Sequence, residues 1–282
     1  MIQSIALLKN NFKTNLSSLY SLNEINSLWK KWVISEILKI SLEEYYILDY
    51  TLGESDCNQI NNLIAHLSEN QPVQYFFGYT YFKQLKIYVN LHVLIPRPET
   101  ESLVDIIIKN INIQQRYNIL DIGTGSGCIS IALKKHINGN ILAIDINDKI
   151  LNVAKKNAKL NNVLVHFQIM NILSNNDYSL SHKFDLIVSN PPYVLESEVS
   201  STSNIHYEPS TAIFVDNESP LLFYDRILMF SIHNLNVGGK IFFEINPIFI
   251  EPLISLIKSY NYINIEIFND FYEKKRFIIV NS

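Results

Sequence analysis

Cysteine is almost missing from this chain: there are two in 282 residues, Cys57 and Cys128, far apart and in no metal-ligand spacing. That excludes a disulfide framework and suits a reducing compartment. Charge is sparse as well. Only 18% of residues are charged, and a net of −4 lacks the positive excess of a nucleic-acid binder. No apolar run is long enough to span a membrane. The most apolar region, KIFFEINPIFIEPLISLI, is interrupted by Glu244, Asn246, Pro247, Glu251 and Pro252. The start, MIQSIALLKNNFKTNL, is broken by Lys9, Asn10, Asn11 and Lys13 before a signal-peptide core could form. The expectation is a soluble, cytoplasmic protein. What is abundant is hydrophobic side chain, 48% of the chain, enough for a large core in one or two domains.

Residues 1–70 carry helical periodicity and almost no strand signal. Leu28, Trp32, Ile34, Ile37 and Leu38 fall near helical spacings, and Leu63, Ile64 and Leu67 repeat the pattern. Five lysines against eight acids, Asp49 among them, leave this helical bundle at about −3. A segment gripping a DNA backbone has the opposite sign. Residues 71–95 change character: aromatic and β-branched alternation around Gly78 predicts a β-hairpin connector. From residue 96 to 282 strands and helices alternate, the pattern of a parallel sheet covered on both faces. The predicted strands are 117–121, 140–145, 163–168, 184–189, 239–245, 262–268 and 276–280, with a helix over 150–162. The serine-rich piece 197–203 is expected to be a mobile loop.

After the first of these strands comes DIGTGSGCISIALKK, from Asp121 to Lys135. Gly123, Gly125 and Gly127 let the backbone turn tightly and approach a ligand that a Cβ would block. The helix that follows is expected to begin near Ser126. A dinucleotide fingerprint needs a third small residue where Cys128 stands, which weakens an NAD reading without removing it. A second acid, Asp145, closes the next strand, where its carboxylate can accept both hydroxyls of a ribose. This arrangement resembles the class I methyltransferases, which bind S-adenosyl-L-methionine (AdoMet) and release S-adenosyl-L-homocysteine. The resemblance implies that Gly123, Thr124, Gly125, Ser126 and Gly127 pass under the cofactor while Asp145 holds its ribose. Asn171, beside Ile172, stands where this fold often has an acid for the adenine amino group, and its Oδ1 could accept that bond.

The stretch FDLIVSNPPYV at 184–194 runs as a buried strand into Asn190, Pro191, Pro192 and Tyr193. Two prolines, with no N–H to donate, stop strand pairing there. In such a sheet ligands collect at the carboxyl ends of the strands, so Asn190 is expected to face the cofactor's methyl group. A nitrogen on a planar conjugated group is a poor nucleophile because its lone pair is delocalised. Acceptors on its two N–H bonds, Asn190 Oδ1 and the Pro191 carbonyl, favour pyramidalisation and stabilise the positive charge that grows. The prolines keep that carbonyl rigid, and Tyr193 offers a flat face to the planar group. This chemistry asks for positioning and for no metal.

Which planar nitrogen is not written in that motif, since adenine, cytosine, guanine and glutamine methyltransferases share it. QPVQYFFG at 71–78 and VLIPRPETE at 93–101, with LDIGTGSGCIS, AIDIN, FDLIVSNPPYV, YEP at 207–209 and a late Asp270…Arg276 pair, resemble the release-factor glutamine-N5 methyltransferases, the HemK/PrmC group. The fold this implies is α/β: a Rossmann-like, seven-stranded class I methyltransferase sheet with an N-terminal helical bundle and a hairpin connector. The substrate it implies is the glutamine of the Gly-Gly-Gln loop of class-I peptide-chain release factors. The helical segment would dock that protein, with no direct contact to nucleic acid or membrane, and the enzyme is expected to be a monomer. Thr100 and Glu101 are expected in the first turn of a helix that starts near Glu99, next to the cofactor loop. The plain reading of Thr100 is a helix-capping box, and the resemblance implies that this loop also walls the AdoMet pocket. Glu208 is expected to close over the peptide. Two departures from the family stand out: Asn246 where glycine is usual after Glu244-Ile245, and VDNESPLLFY at 215–224. A ribosomal-protein glutamine enzyme and an N6-adenine nucleic-acid enzyme remain as alternatives.

Overall fold

The computed structural model describes residues 4–47, 52–174, 180 and 182–282; Asp49, counted above, lies outside them. The chain divides into two compact units, Met1–Phe77 with Ser203–Tyr207, and Gly78–Thr202 with Glu208–Ser282.

The first unit is helical: α1 (Ile5–Leu16), α2 (Leu22–Leu28), α3 (Leu42–Ile47), α4 (Glu54–Ser68) and α5 (Val73–Phe77). The starts of α1 and α2 are capped by side chains. Ser4 accepts from the Leu7 N–H, and Ser21 with Glu24 forms a reciprocal capping box. Between α2 and α3, residues Trp29–Leu38 wind as a π-helix, wider than the α-helix their spacing predicts. The wider turn still buries Trp29, Trp32, Val33, Ile34, Ile37 and Leu38. Phe12 meets Trp29 edge-on at 5.3 Å and Trp32 stacks on Phe77 at 4.6 Å, which locks the aromatic centre of this unit.

The second unit opens with a hairpin of β1 (Tyr79–Phe82) and β2 (Leu85–Tyr88). Its turn is at Lys83 and Gln84, both with positive φ (48° and 63°), and not at Gly78, which forms the corner before β1. Glycine marks left-handed backbone in a sequence, but tertiary bonds hold it here. The Lys83 N–H donates to Glu101 and its ammonium pairs with Asp105, both on the following helix.

Seven strands then build one sheet in the order β5-β4-β3-β6-β7-β9-β8. They are β3 (Tyr117–Ile122), β4 (Gly139–Asp145), β5 (His166–Ile169), β6 (Phe184–Ser189), β7 (Leu235–Glu244), β8 (Asn264–Asn269) and β9 (Lys275–Asn281). The first five are parallel; β9 runs antiparallel to its neighbours β7 and β8. Helices α6 (Pro98–Lys109), α7 (Cys128–His136), α8 (Asp148–Leu160), α9 (Leu222–Asn234) and α10 (Ile250–Ser259) link them. The chain leaves β3 in one direction for β4 and β5, then returns to its other side as β6. That reversal opens a crevice at the carboxyl ends of β3 and β6, where the glycine loop and the Asn-Pro-Pro corner emerge. The serine-rich segment carries short 3₁₀ turns at Glu196–Glu198 and Asn204–Tyr207.

Candidate active site

At the end of β3 the chain turns through Gly123 and Gly125 with φ of 72° and 55°. A Cβ built at either would meet nothing within 4 Å, so both face open space. Gly127 differs. With φ of 80° it caps α7, which starts at Cys128 and not at Ser126, and a Cβ there would press on Ala154 at 3.1 Å. Its smallness lets α7 and α8 approach. Thr124 turns back to donate to Asp121 at 2.8 Å, joined by Ser130 at 2.6 Å, and the Ser126 carbonyl accepts from Asn157. Asp121 is wholly buried, its Oδ1 without a partner among the described residues, and burial pushes its pKa up to about 6 against the Ser130 and Thr124 bonds. Asp145, at the end of β4, accepts the Gly125 and Ile146 N–H groups, one on each oxygen at 2.8 Å. Burial raises its pKa; the two amides act against that rise.

These elements surround a cavity of about 360 Å³. Gly123, Gly125, Asp145, Asn171, Ile172, Asn190, Pro191 and Pro192 line it, with Ile146, Ile150 and Met170 as apolar wall and Pro209 and Phe214 opposite. Thr124, Ser126 and Gly127 support the loop from behind and do not line it. Asn171 turns its Oδ1 to the Leu173 N–H at 3.0 Å. A larger hollow, about 600 Å³, lies at the opposite ends of β3, β6 and β7, around Tyr117, Asp185 and Lys240. It holds none of the motif residues and sits at the wrong end of a parallel sheet for ligand binding.

Behind Asn190 runs a chain of hydrogen bonds. Asn190 Nδ2 donates to Thr100 Oγ1 at 3.2 Å, and Thr100 donates to Glu244 Oε2 at 2.7 Å. The Tyr193 hydroxyl donates to Glu244 Oε1 at 2.9 Å and receives Arg276 at 3.4 Å; Arg276 also reaches Asp270 at 3.3 Å. Glu244 is 1% exposed. Burial raises its pKa, while the Thr100 and Tyr193 bonds and the Arg276 charge hold it down. Burial, then the Glu244 charge, drives the Tyr193 pKa far above its ordinary value.

Three expectations meet a different arrangement. Tyr193 does not line the cavity: its ring packs with the sheet core and its hydroxyl is tied to Glu244. Thr100 sits in the first turn of α6, yet its hydroxyl reaches across to β7 instead of capping. Glu208 is no mobile flap. It is 6% exposed, accepts the Ile95 N–H at 2.9 Å and pairs with Arg97 at 2.6 Å, which pins Pro209 at the cavity rim. Asn246 has a part of its own: its Nδ2 donates to the Tyr193 carbonyl at 3.1 Å and to Glu198 at 2.9 Å. No glycine could make those bonds. Glu244 escaped the sequence reading, though a carboxylate closing the apolar run IFFE is a signal in itself. Among the described residues, no group of three or more His, Cys, Asp or Glu is placed to hold a metal, and no helix is long and apolar enough to cross a membrane.

The sheet order, the glycine loop after β3 and the corner after β6 define the class I methyltransferase fold. Residues 100–206 match the family model described as "Methyltransferase small domain". A Pyrococcus furiosus methyltransferase of solved structure shares the fold, with a TM-score of 0.50 and 18% identity over 71% of this chain and 89% of that one. Nearer relatives span both units. A release factor glutamine methyltransferase of Flavobacterium psychrophilum is 40% identical over 98% of this chain and 99% of its own length. One from Bacteroides thetaiotaomicron is 35% identical over 95% and 97%. The chain belongs to the release factor glutamine methyltransferase family.

Proposed function

We propose that this protein transfers a methyl group from AdoMet to the side-chain N5 of the glutamine in the Gly-Gly-Gln motif of class-I release factors. The observation that carries the reading is Asn190 at the cavity wall, its Nδ2 occupied by Thr100 and its Oδ1 accepting no bond among the described residues. That leaves an acceptor facing a space large enough for a nucleoside cofactor.

The residues present fit AdoMet. Two glycines open onto the cavity where any side chain would fill it. Each Asp145 oxygen has taken one backbone N–H and keeps capacity for a ribose hydroxyl. Ile146, Ile150 and Ile172 offer apolar contact to a purine, with Asn171 at its edge. When bound, AdoMet supplies an electrophilic methyl on a sulfonium, and no metal is called for. Asn190 Oδ1 and the Pro191 carbonyl accept the two N–H bonds of the carboxamide. This draws its nitrogen out of conjugation and stabilises the positive charge it acquires. Pro191 and Pro192 hold the geometry ready, so little rearrangement is required during reaction. Tyr193 and Asn246 fasten the corner from behind. The N-methylated amide is acidic until it sheds a proton, which water accepts.

The helical unit, with its charge of about −3, is assigned to docking the release factor, and the enzyme acts as a cytoplasmic monomer without touching nucleic acid. The test is incubation with AdoMet and a purified release factor, read by peptide mass spectrometry, with duplex DNA and a ribosomal-protein mixture beside it. One added methyl on the Gly-Gly-Gln glutamine is the expected result. Label on DNA or a ribosomal protein instead would keep the chemistry and reject the substrate.

A further inference from the structure

The two ends of an asparagine amide are nearly alike in shape, so some contact must decide which end of Asn190 faces the cavity. That contact is Thr100. A threonine hydroxyl has one proton and two acceptor lone pairs. Glu244, buried and acceptor-only when ionised, lies 2.7 Å from Thr100 Oγ1 and takes the Tyr193 proton on its other oxygen. Arg276, bonded to Tyr193, keeps positive charge beside it. The single Thr100 proton is therefore committed to Glu244, and toward Asn190 the hydroxyl can only accept. The Asn190 atom at 3.2 Å is the donor, Nδ2.

We infer that Thr100 is a positioning residue for methyl transfer: aligned by Glu244, it holds the Asn190 amide with Oδ1 toward the cavity. A reversed amide would aim N–H bonds at the N–H bonds of the substrate. The local alternative, a helix cap, does not use this hydroxyl, whose hydrogen bonds go to β7 and to the corner after β6. The inference rests on the amide substrate proposed above, and the experiment separates the two.

Thr100→Val keeps the side-chain shape and removes the hydroxyl. The first measurement needs no substrate. The Asn190 side-chain amide is followed by ¹⁵N NMR on the full chain, identified by its loss in Asn190→Ala. Its protons should exchange with water about tenfold faster or more in Thr100→Val and recover in Thr100→Ser. Unchanged exchange in Thr100→Val overturns the inference. The second measurement is methylation of a purified release factor at saturating AdoMet. Thr100→Val should lower kcat about tenfold or more with KM and AdoMet affinity within about threefold, and Thr100→Ser should regain most of it. Added to Asn190→Ala, Thr100→Val should cause no further loss; a full second loss also overturns the inference. If the parent enzyme leaves the release factor unmodified, the proposed substrate falls and the NMR result still decides the role of Thr100.

Discussion

Three side chains at the end of the sheet carry separable parts of the chemistry. Asn190→Ala removes the acceptor made ready for the reacting nitrogen. Methyl transfer should slow about 10²-fold, in line with loss of one preorganised hydrogen-bonding group. AdoMet affinity, measured by calorimetry, should stay within about threefold. Asp145→Ala does the opposite, weakening AdoMet by about 1.5–3 kcal/mol, the range for hydrogen bonds to a charged group; unchanged affinity would remove Asp145 from the ribose. Asp121 should show in stability. Its folded pKa is about 6 against 3.8, so the native state holds a proton that the unfolded chain has already released between those values. Stability contributed by this group therefore falls as pH rises from about 4 to 6, by about 3 kcal/mol in all. Denaturant titrations should give a shallower fall over that window in Asp121→Asn than in the parent. At this scale the sequence was legible where a residue interrupts a pattern: three glycines after a strand, an acid closing the next, an amide before two prolines. The hydrogen-bonded roles of Thr100, Glu244 and Tyr193 were not, because their partners lie 51 to 144 positions away and each has an ordinary local reading.

Among the elements, parallel strands were the most readable. Apolar runs such as DLIVS admit no polar face, and the predicted 184–189 is the observed β6. Ends were harder. β7 starts at Leu235, directly after α9, because residues 236–239 form an irregularity opposite Phe184–Leu186 that no hydrophobic pattern announces. The hairpin connector was readable but its turn residues were not, because Lys83 and Gln84 take left-handed conformations fastened by α6. One glycine makes a sharp demand on its element. At Gly139, the first residue of β4, φ is 154° and a Cβ would collide with the Tyr117 backbone carbonyl. Gly139→Ala should cost about 3 kcal/mol or more, since the colliding atoms all belong to the Tyr117 backbone and not to a movable side-chain end. A melting curve within a degree or two of the parent would show that β3 and β4 can part there.

For the molecule as a whole, a chain that divides into two compact units should not melt as one. The cavity is built entirely from residues of the second unit. AdoMet at about 100 times its Kd should therefore stabilise one calorimetric transition by about 2.7 kcal/mol and leave the other in place. A single transition that rises as a block would mean that the units unfold together. The charge of the first unit was readable from composition; its π-helix was not, because the apolar spacing of Trp29–Leu38 suits a helix of either width.

The chain does not visit the helical unit only once. Ser203–Tyr207 return to it after β6 has been made, and the Tyr207 hydroxyl donates to the Glu69 carbonyl there. During synthesis the amino-terminal unit therefore cannot be completed first, although it emerges first. Its last piece leaves the ribosome only after four parallel strands of the other unit, so the order of translation and the order of folding need not agree.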